Sequence, residues 1–221
     1  MAQSIATYNS KKRLVLSNGE AIRSMLIGNS WTNLRIGILA SVHASANIAG
    51  TPRLAFGVCS GNQGYSTSLD AGTNLIGVRQ SQSSYNFTAN GGDSYVSGGF
   101  ESFKRVSGTV TPGSSVASVS GVIAAKTPYS WRTGLFLDLV KGSPNYTISM
   151  MGITNLTGFG DLSETDFLSL MEGGTYGQYT TGATHTLAMS EAGGDLDSLF
   201  FYWNRSSPIF SLDAVAYRRL A

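Results

Sequence analysis

Two histidines, one cysteine and thirteen carboxylates are the whole stock from which acid–base, nucleophilic or metal chemistry could be built. His43 and His185 lie far apart, with neither the H-E-x-x-H nor the H-x-H spacing that sets two imidazoles on one element to hold a metal. Cys59, within "LAFGVCSGN", needs an activating base before its thiol becomes a nucleophile. In an apolar stretch it reads instead as a small buried hydrophobe. Glycoside hydrolysis needs two facing carboxylates, and the strand-borne pair that the pattern offers is Asp138 with Asp213. Asp138 interrupts an apolar strand, so it is expected to pair with an arginine or to sit on an open face. The acids of "GDLSETD", residues 160–166, lack the D-x-D-x-D-G spacing of a calcium loop and read as a helix cap. No G-x-S-x-G elbow, P-loop or Rossmann glycine pattern occurs. The expectation is therefore no catalytic residues, no cofactor and no metal: not an enzyme.

The elements that carry these residues are short strands punctuated by Gly, Asn, Ser and Pro. "RLVLS" and "AIRSMLIG" flank Asn18-Gly19, the strongest hairpin signal in the chain. "NLRIGILASVH" alternates, with Leu34, Ile36 and Ile38 on one face. "RLAFGVCSG" and "NLIGVRQS" each place a glycine, Gly57 or Gly77, in mid-strand, which marks a bulge or a close neighbour. "WRTGLFLDLVKGSPNYTISMMGI" reads as two strands joined at "KGSPN", with Leu135, Leu137 and Leu139 on one face. One helix is expected near 163–172: Ser163 as N-cap, acids in the first turn, and Phe167, Leu170 and Met171 on one side. The chain then runs through "LDSLFFYWN", apolar on both faces, turns at "RSSP", and returns as "IFSLDAVAYRRL". This count of roughly ten strands and one helix predicts a single domain over residues 1–221. The fold class is all-β, an antiparallel sandwich of jelly-roll or concanavalin-like type, with the last strand pair inside one sheet.

Composition narrows the partners. Charged residues are 13% of the 221, glycines number 27 and the net charge is only +2, so nucleic acid is not expected. No apolar run approaches the ~18 residues of a membrane span. A polar surface built from Ser, Thr, Asn and Gly suits packing against neighbours, since fewer charges must be desolvated; it also suits hydrogen bonding to sugars. Residues 81–130 are turn-rich and poor in large aliphatics, and read as an irregular insertion. Its aromatics Tyr85, Phe87, Tyr95, Phe100 and Phe103 are the candidate interface, with copies of the same chain as the expected partner.

The ending "LDAVAYRRL", Leu212 to Leu220, resembles the last strand of concanavalin-like (laminin-G type) sandwiches. That family's calcium-binding acids and sugar-contacting loops have no counterparts that can be placed here, so the resemblance implies a fold and no site. In its Gly/Ser/Thr/Asn texture, single cysteine and lack of a signal peptide the chain is similar to bacteriophage and other virion structural proteins. That likeness implies a non-enzymatic subunit of a particle (decoration, tail or fibre) made in the host cytoplasm and residing in the virion among other particle proteins. The alternative is a carbohydrate-binding, lectin-like receptor-binding module that takes a surface glycan.

Overall fold

A computed structural model describes residues 4–8, 11–16, 21–44, 53–61, 74–80, 88–90, 93–98, 100–115, 119–124, 129–153, 163–173, 178–204 and 209–220. In chain order the elements are β1 (Ser4–Tyr8), β2 (Lys11–Leu16), β3 (Ala21–Leu26), β4 (Asn33–Ala44), β5 (Arg53–Ser60), β6 (Leu75–Gln80), β7 (Thr88–Asn90), β8 (Asp93–Gly98), β9 (Phe100–Val106), β10 (Thr109–Ser115), β11 (Val119–Ala124), β12 (Tyr129–Lys141), β13 (Asn145–Ile153), α1 (Glu164–Met171), β14 (Gln178–Ala188), α2 (Met189–Ala192), β15 (Leu196–Asn204) and β16 (Ile209–Leu220). The strands form a seven-stranded sheet, β1-β2-β16-β4-β12-β13-β14, a six-stranded sheet, β10-β9-β6-β5-β15-β3, and a three-stranded ribbon, β11-β8-β7. Every described pairing is antiparallel. The chain is an all-β antiparallel sandwich, as the alternation of its strands predicts.

Period-two alternation decides what lies between the large sheets. Leu34, Ile36 and Ile38 of β4 and Leu135, Leu137 and Leu139 of β12 face Phe56, Val58, Ile76, Val78, Leu199 and Phe201 of the six-stranded sheet, all buried. Each contributes about 1.5–3 kcal/mol by leaving water. At one end of this core Trp31 donates from Nε1 to the Leu196 carbonyl at 3.1 Å, and its ring lies 5.8 Å from that of Tyr146. The Leu196 amide in turn donates to the Tyr146 hydroxyl at 3.5 Å.

Strand partners depart from the simplest reading of the sequence. β2 lies in the seven-stranded sheet and β3 in the six-stranded one, so the strands flanking Asn18-Gly19 do not form a hairpin. β15 and β16 likewise are not a pair: β15 sits between β5 and β3, and β16 between β2 and β4. The chain therefore passes from one layer to the other at β2/β3, β3/β4, β4/β5, β14/β15 and β15/β16. Both faces of β15 are covered by packing: Leu199 and Phe201 enter the sandwich, and Phe200 is buried on the opposite side against Phe103.

Part of the stretch expected to be irregular is regular strand. β9 and β10 belong to the six-stranded sheet and are joined by the two-residue loop Ser107-Gly108, with φ of 47° and 83°. Two successive positive φ values define a type I′ turn, whose twist matches the flanking strands.

Helix α1 has the expected cap: the Asp166 amide donates to Ser163 Oγ at 3.0 Å, and Ser163 Oγ donates to the Asp166 carboxylate at 2.7 Å. It lies on the outer face of the seven-stranded sheet, where Phe167 and Met171 pack against Leu39 and Phe136. Gly37 provides the room, since a β-carbon there would overlap Met171 Sδ and approach the Phe167 ring to 3.1 Å. A second helix, α2, was not expected; at four residues it is too short to register as periodicity.

Candidate functional site

The chemistry-bearing residues gather at three places. The first is beneath α1. Asp138 faces Arg35 across β12 and β4 and accepts from its Nε at 2.8 Å and from Nη2 at 2.7 Å, while Arg35 Nη1 donates to the Leu170 carbonyl at 3.1 Å. Both residues are buried. Asp138 thus takes the arginine-paired role of the two its sequence allowed. Arg218, opposite Arg35 on β16, donates to the Glu172 carbonyl at 2.8 Å. The last turn of α1 carries no basic residue of its own, so the sheet supplies the cations that its carbonyls favour. Asp213 falls in the β16 bulge between Leu212 and Ala214, opposite residues 39–40 of β4, whereas Asp138 faces residue 35. At ~3.3 Å per residue they are separated by roughly 13 Å along the strands and by one whole strand across. The fold does not bring the two carboxylates together.

The second is the edge where β14 of one sheet meets β9 and β10 of the other. His185 lies here against Gly113, whose added β-carbon would fall 2.6 Å from His185 Nδ1. Burial and the nearby Lys104 ammonium hold its pKa below the usual histidine value, opposed by a backbone hydrogen bond at Thr111. Lys104 donates to Glu191 Oε2 at 3.0 Å, and the Ala188 amide donates to the same oxygen at 3.2 Å; these bonds hold the Glu191 carboxyl below its ordinary range. Asn74 ties α2 to the β9–β10 turn, donating to the Glu191 and Ala192 carbonyls at 2.9 and 3.2 Å and accepting from the Ser107 amide at 2.9 Å. This cluster locks the two layers together at their open edge. His43, on β4 opposite Ser130 and Ile209, is separated from the β14 histidine by β12 and β13.

The third is the outer face of the six-stranded sheet, and it is read off by register. One row runs Pro112–Phe103–Gly77–Gly57–Phe200–Arg23 across all six strands. Two glycines sit between two phenylalanines, and the Phe200 ring covers the vacant space: β-carbons at 57 and 77 would stand 2.9 and 3.0 Å from its ring carbons. Phe103 and Phe200 meet edge to face at 6.3 Å. The mid-strand glycines thus mark a close neighbour. The next row runs Glu101–Arg79–Ala55–Tyr202–Ala21. Arg79 Nε donates to Glu101 Oε1 at 2.7 Å, and the guanidinium lies 5.5 Å from the centre of the Phe103 ring. Exposure rises between these rows: Phe103 and Phe200 are 1% and 2% exposed, whereas the side chains of Arg79 and Glu101 are 21% and 15% exposed and Tyr202 is half-buried. Cys59 lies in the row on the other side, opposite Ser198 and Leu75, fully buried as a small hydrophobe.

Of the five aromatics proposed as an interface, Tyr85 and Phe87 lie outside the described residues. Tyr95 is on β8, opposite Thr88 and Val122 in the three-stranded ribbon, and Phe100 opens β9 opposite Gln80. Phe103 is not a surface anchor; it is buried within its own chain, where Phe200 and the Arg79 guanidinium pack on its ring. The residues that the sequence reading missed are Arg79, Glu101 and Tyr202. They come from three distant segments, and only strand pairing aligns them.

Fold and site together define a two-layer antiparallel sandwich with a polar and aromatic row on one outer face. No family model matches the chain, and no curated protein matches it. Among solved structures it is similar to a sheep galectin-11 in complex with glycerol, at 7% identity and a TM-score of 0.35, over 92% of this chain and 99% of that one. It is also similar to an alginate lyase in complex with alginate trisaccharide, at 11% identity and a TM-score of 0.40, over 97% of this chain and 84% of that one.

Proposed function

We propose that this chain is a non-catalytic binding protein that takes carbohydrate on the outer face of its six-stranded sheet. The observation that carries the reading is the row Glu101–Arg79–Ala55–Tyr202, in which the charged and tyrosyl side chains are partly exposed around a buried alanine, beside the edge-to-face pair of phenylalanines. A saccharide presents hydroxyls at its rim and C–H groups on its faces. Glu101 is an acceptor for hydroxyl protons, Arg79 a planar fork of donors, and Tyr202 an aromatic ring with a polar tip. These groups stand on strands ~4.8 Å apart, so the row spans roughly 14 Å from β9 to β15. That length fits an oligosaccharide better than a single ring. The ion pair of Arg79 with Glu101 fixes both side chains before a ligand arrives, which lowers the ordering cost of binding.

A glycan-array screen followed by calorimetry on the retained glycans tests this. Tyr202→Ala and Glu101→Gln should each weaken binding tenfold or more while leaving the circular dichroism spectrum unchanged. Failure of every glycan to bind at millimolar concentration would refute the reading.

A second reading, a structural subunit of a virion or phage-like particle, is favoured by one observation. Both edge strands of the six-stranded sheet carry an exposed large apolar residue, Leu26 on β3 at 64% and Val110 on β10 at 39%. Such edges suit lateral association of copies, although Pro112 and the bulge beside it blunt the β10 edge. Sedimentation velocity distinguishes the readings, since an assembly subunit forms a defined oligomer or particle and Leu26→Lys disperses it.

A further inference from the structure

We propose that the edge where β14 meets β9 and β10 is an acid-released latch: a proton taken up by His185 parts β14 from the β9–β10 hairpin while the middle of both sheets stays closed. β14 ends the seven-stranded sheet and β10 ends the six-stranded one, so no main-chain ladder among the described residues joins them. Side chains hold this edge. Lys104 of β9 bonds to Glu191 of α2, and Asn74 bridges α2 to the β9–β10 turn. The imidazole of His185 is the third piece. His185 pairs with Ile148, a core residue, so alternation turns both toward the space between the layers.

The closed edge is a poor place for a charged imidazole. His185 Nε2 is buried without a hydrogen-bond partner among the described residues, so a proton arriving there is desolvated and unpaired. The hairpin backbone also closes tightly over the ring: a β-carbon at Gly113 would fall 2.4 Å from Ser102 Oγ and 2.6 Å from His185 Nδ1. Charged neighbours offer no compensation. β9 sets Lys104 in register with Thr111, and its ammonium repels a second cation. Glu101 and Arg105 of β9 and Arg79 of β6 belong to the outer face. β10 has no titratable residue, and α2 brings Glu191, whose carboxylate is taken by Lys104 and the Ala188 amide. β13 presents the Tyr146 hydroxyl, engaged by the Leu196 amide, and the other titratable residue of β14 is Tyr179, opposite Gly152. Burial first and Lys104 second hold the His185 pKa below 6.5, against a backbone hydrogen bond at Thr111. Below 6.5 the closed edge therefore binds fewer protons than the open one. Closure is at full strength above that pH and weakens as pH falls. The opening constant rises by at most about tenfold per pH unit, or about thirtyfold from pH 7.5 to 5.

Hydrogen exchange of the full chain tests this, followed by mass spectrometry at pH 7.5 and 5 and corrected for the intrinsic rate at each pH. Protection of residues 101–113 and 178–188 should fall about three- to thirtyfold at pH 5. These segments should then be at least about tenfold less protected than residues 34–39 and 135–139, as a sub-global opening requires. They should also ignore 1 M urea, which lowers protection of the sheet centres about fivefold or more because those exchange through global unfolding. His185→Gln should abolish the pH effect at the edge. Gly113→Ala should open the same segments at pH 7.5, since its methyl drives the hairpin off the ring. Edge and centre exchanging together with one urea response overturns the latch, because acid then acts through global unfolding alone. An edge opening that persists in His185→Gln, or none at pH 5, overturns it equally. Gly113→Ala as protected as wild type at pH 7.5 also overturns it; that variant and the wild-type map decide the matter where His185→Gln does not fold.

Discussion

Gly37→Ala offers a direct measurement of how α1 is seated. The new β-carbon would overlap Met171 Sδ and come within 3.1 Å of two Phe167 ring carbons, so the helix must lift or Met171 must change rotamer. Overpacking of this kind costs about 1–3 kcal/mol. Alanine recovers about 0.5–1 kcal/mol of backbone entropy relative to glycine in a strand. The expected net loss is therefore about 1–2 kcal/mol. Met171→Ala alone should cost about 2–3 kcal/mol, the lower part of the range for buried methionine, because its cluster is small and lies under a single helix. Once Met171 is truncated, however, the atom that the new methyl strikes is gone and the methyl fills part of the cavity. The double variant should then be no less stable than Met171→Ala, giving a coupling of about 1–2 kcal/mol between the sites. Urea unfolding followed by tryptophan fluorescence and far-ultraviolet circular dichroism measures all four corners of the cycle. Additivity within ~0.5 kcal/mol would mean that the contact between Gly37 and the helix does not exist as described.

Asp138→Ala should cost about 3–5 kcal/mol in the same assay, since it leaves Arg35 buried without its carboxylate, whereas Arg35→Met/Asp138→Leu should come close to wild type. Ser163→Ala should lose about 1 kcal/mol by removing the side-chain acceptor for the Asp166 amide, readable as a small drop in urea midpoint at constant slope. Acid should destabilise the fold through His185: its folded pKa lies below the unfolded 6.5, so the unfolded chain binds more protons and stability falls as pH drops below about 6.5 and is flat above it. One proton limits the slope to about 1.4 kcal/mol per pH unit, and the difference between wild type and His185→Gln across pH 7.5 to 5 isolates it. Deleting residues 209–221 should abolish cooperative unfolding, because it empties the position between β2 and β4; an unchanged melting temperature would contradict the strand order.

Face assignments were legible from the sequence, and pairing partners were not. Leu34, Ile36 and Ile38, or Leu135, Leu137 and Leu139, declare by alternation that one side is buried, and the sandwich core uses those sides. The cap at Ser163 and the helix it starts follow from local chemistry alone, which needs no distant partner. Alternation does not say which strand lies alongside. Asn18-Gly19 is a strong local turn signal, yet β2 and β3 go to different sheets, β2 alongside β16 and β3 alongside β15, partners almost two hundred residues away in the chain. The Ser107-Gly108 turn was available in the sequence as a Ser-Gly pair between short alternating segments, and the scarcity of aliphatics around it obscured it. Phe103 was misjudged for the same reason: its strand has few apolar residues of its own, but Gly77 and Phe200, from distant segments, complete its surroundings. The polar row is the extreme case. Glu101, Arg79 and Tyr202 stand in distant segments and become neighbours only through register.

The placement of β15 and β16 also sets a timetable for the ribosome. These strands follow every other described strand, yet β15 separates β3 from β5 and β16 separates β2 from β4. At ~5–20 residues per second, the earlier strands leave the exit tunnel many seconds before the strands that join them are made. Until then the nascent chain holds two incomplete half-sheets with open edges, which invites mispairing between neighbouring chains on one message. Closure awaits contacts as distant in sequence as Phe210 with Leu16, so the fold is acquired late and slowly, on the millisecond-to-second scale of topologies dominated by long-range pairs.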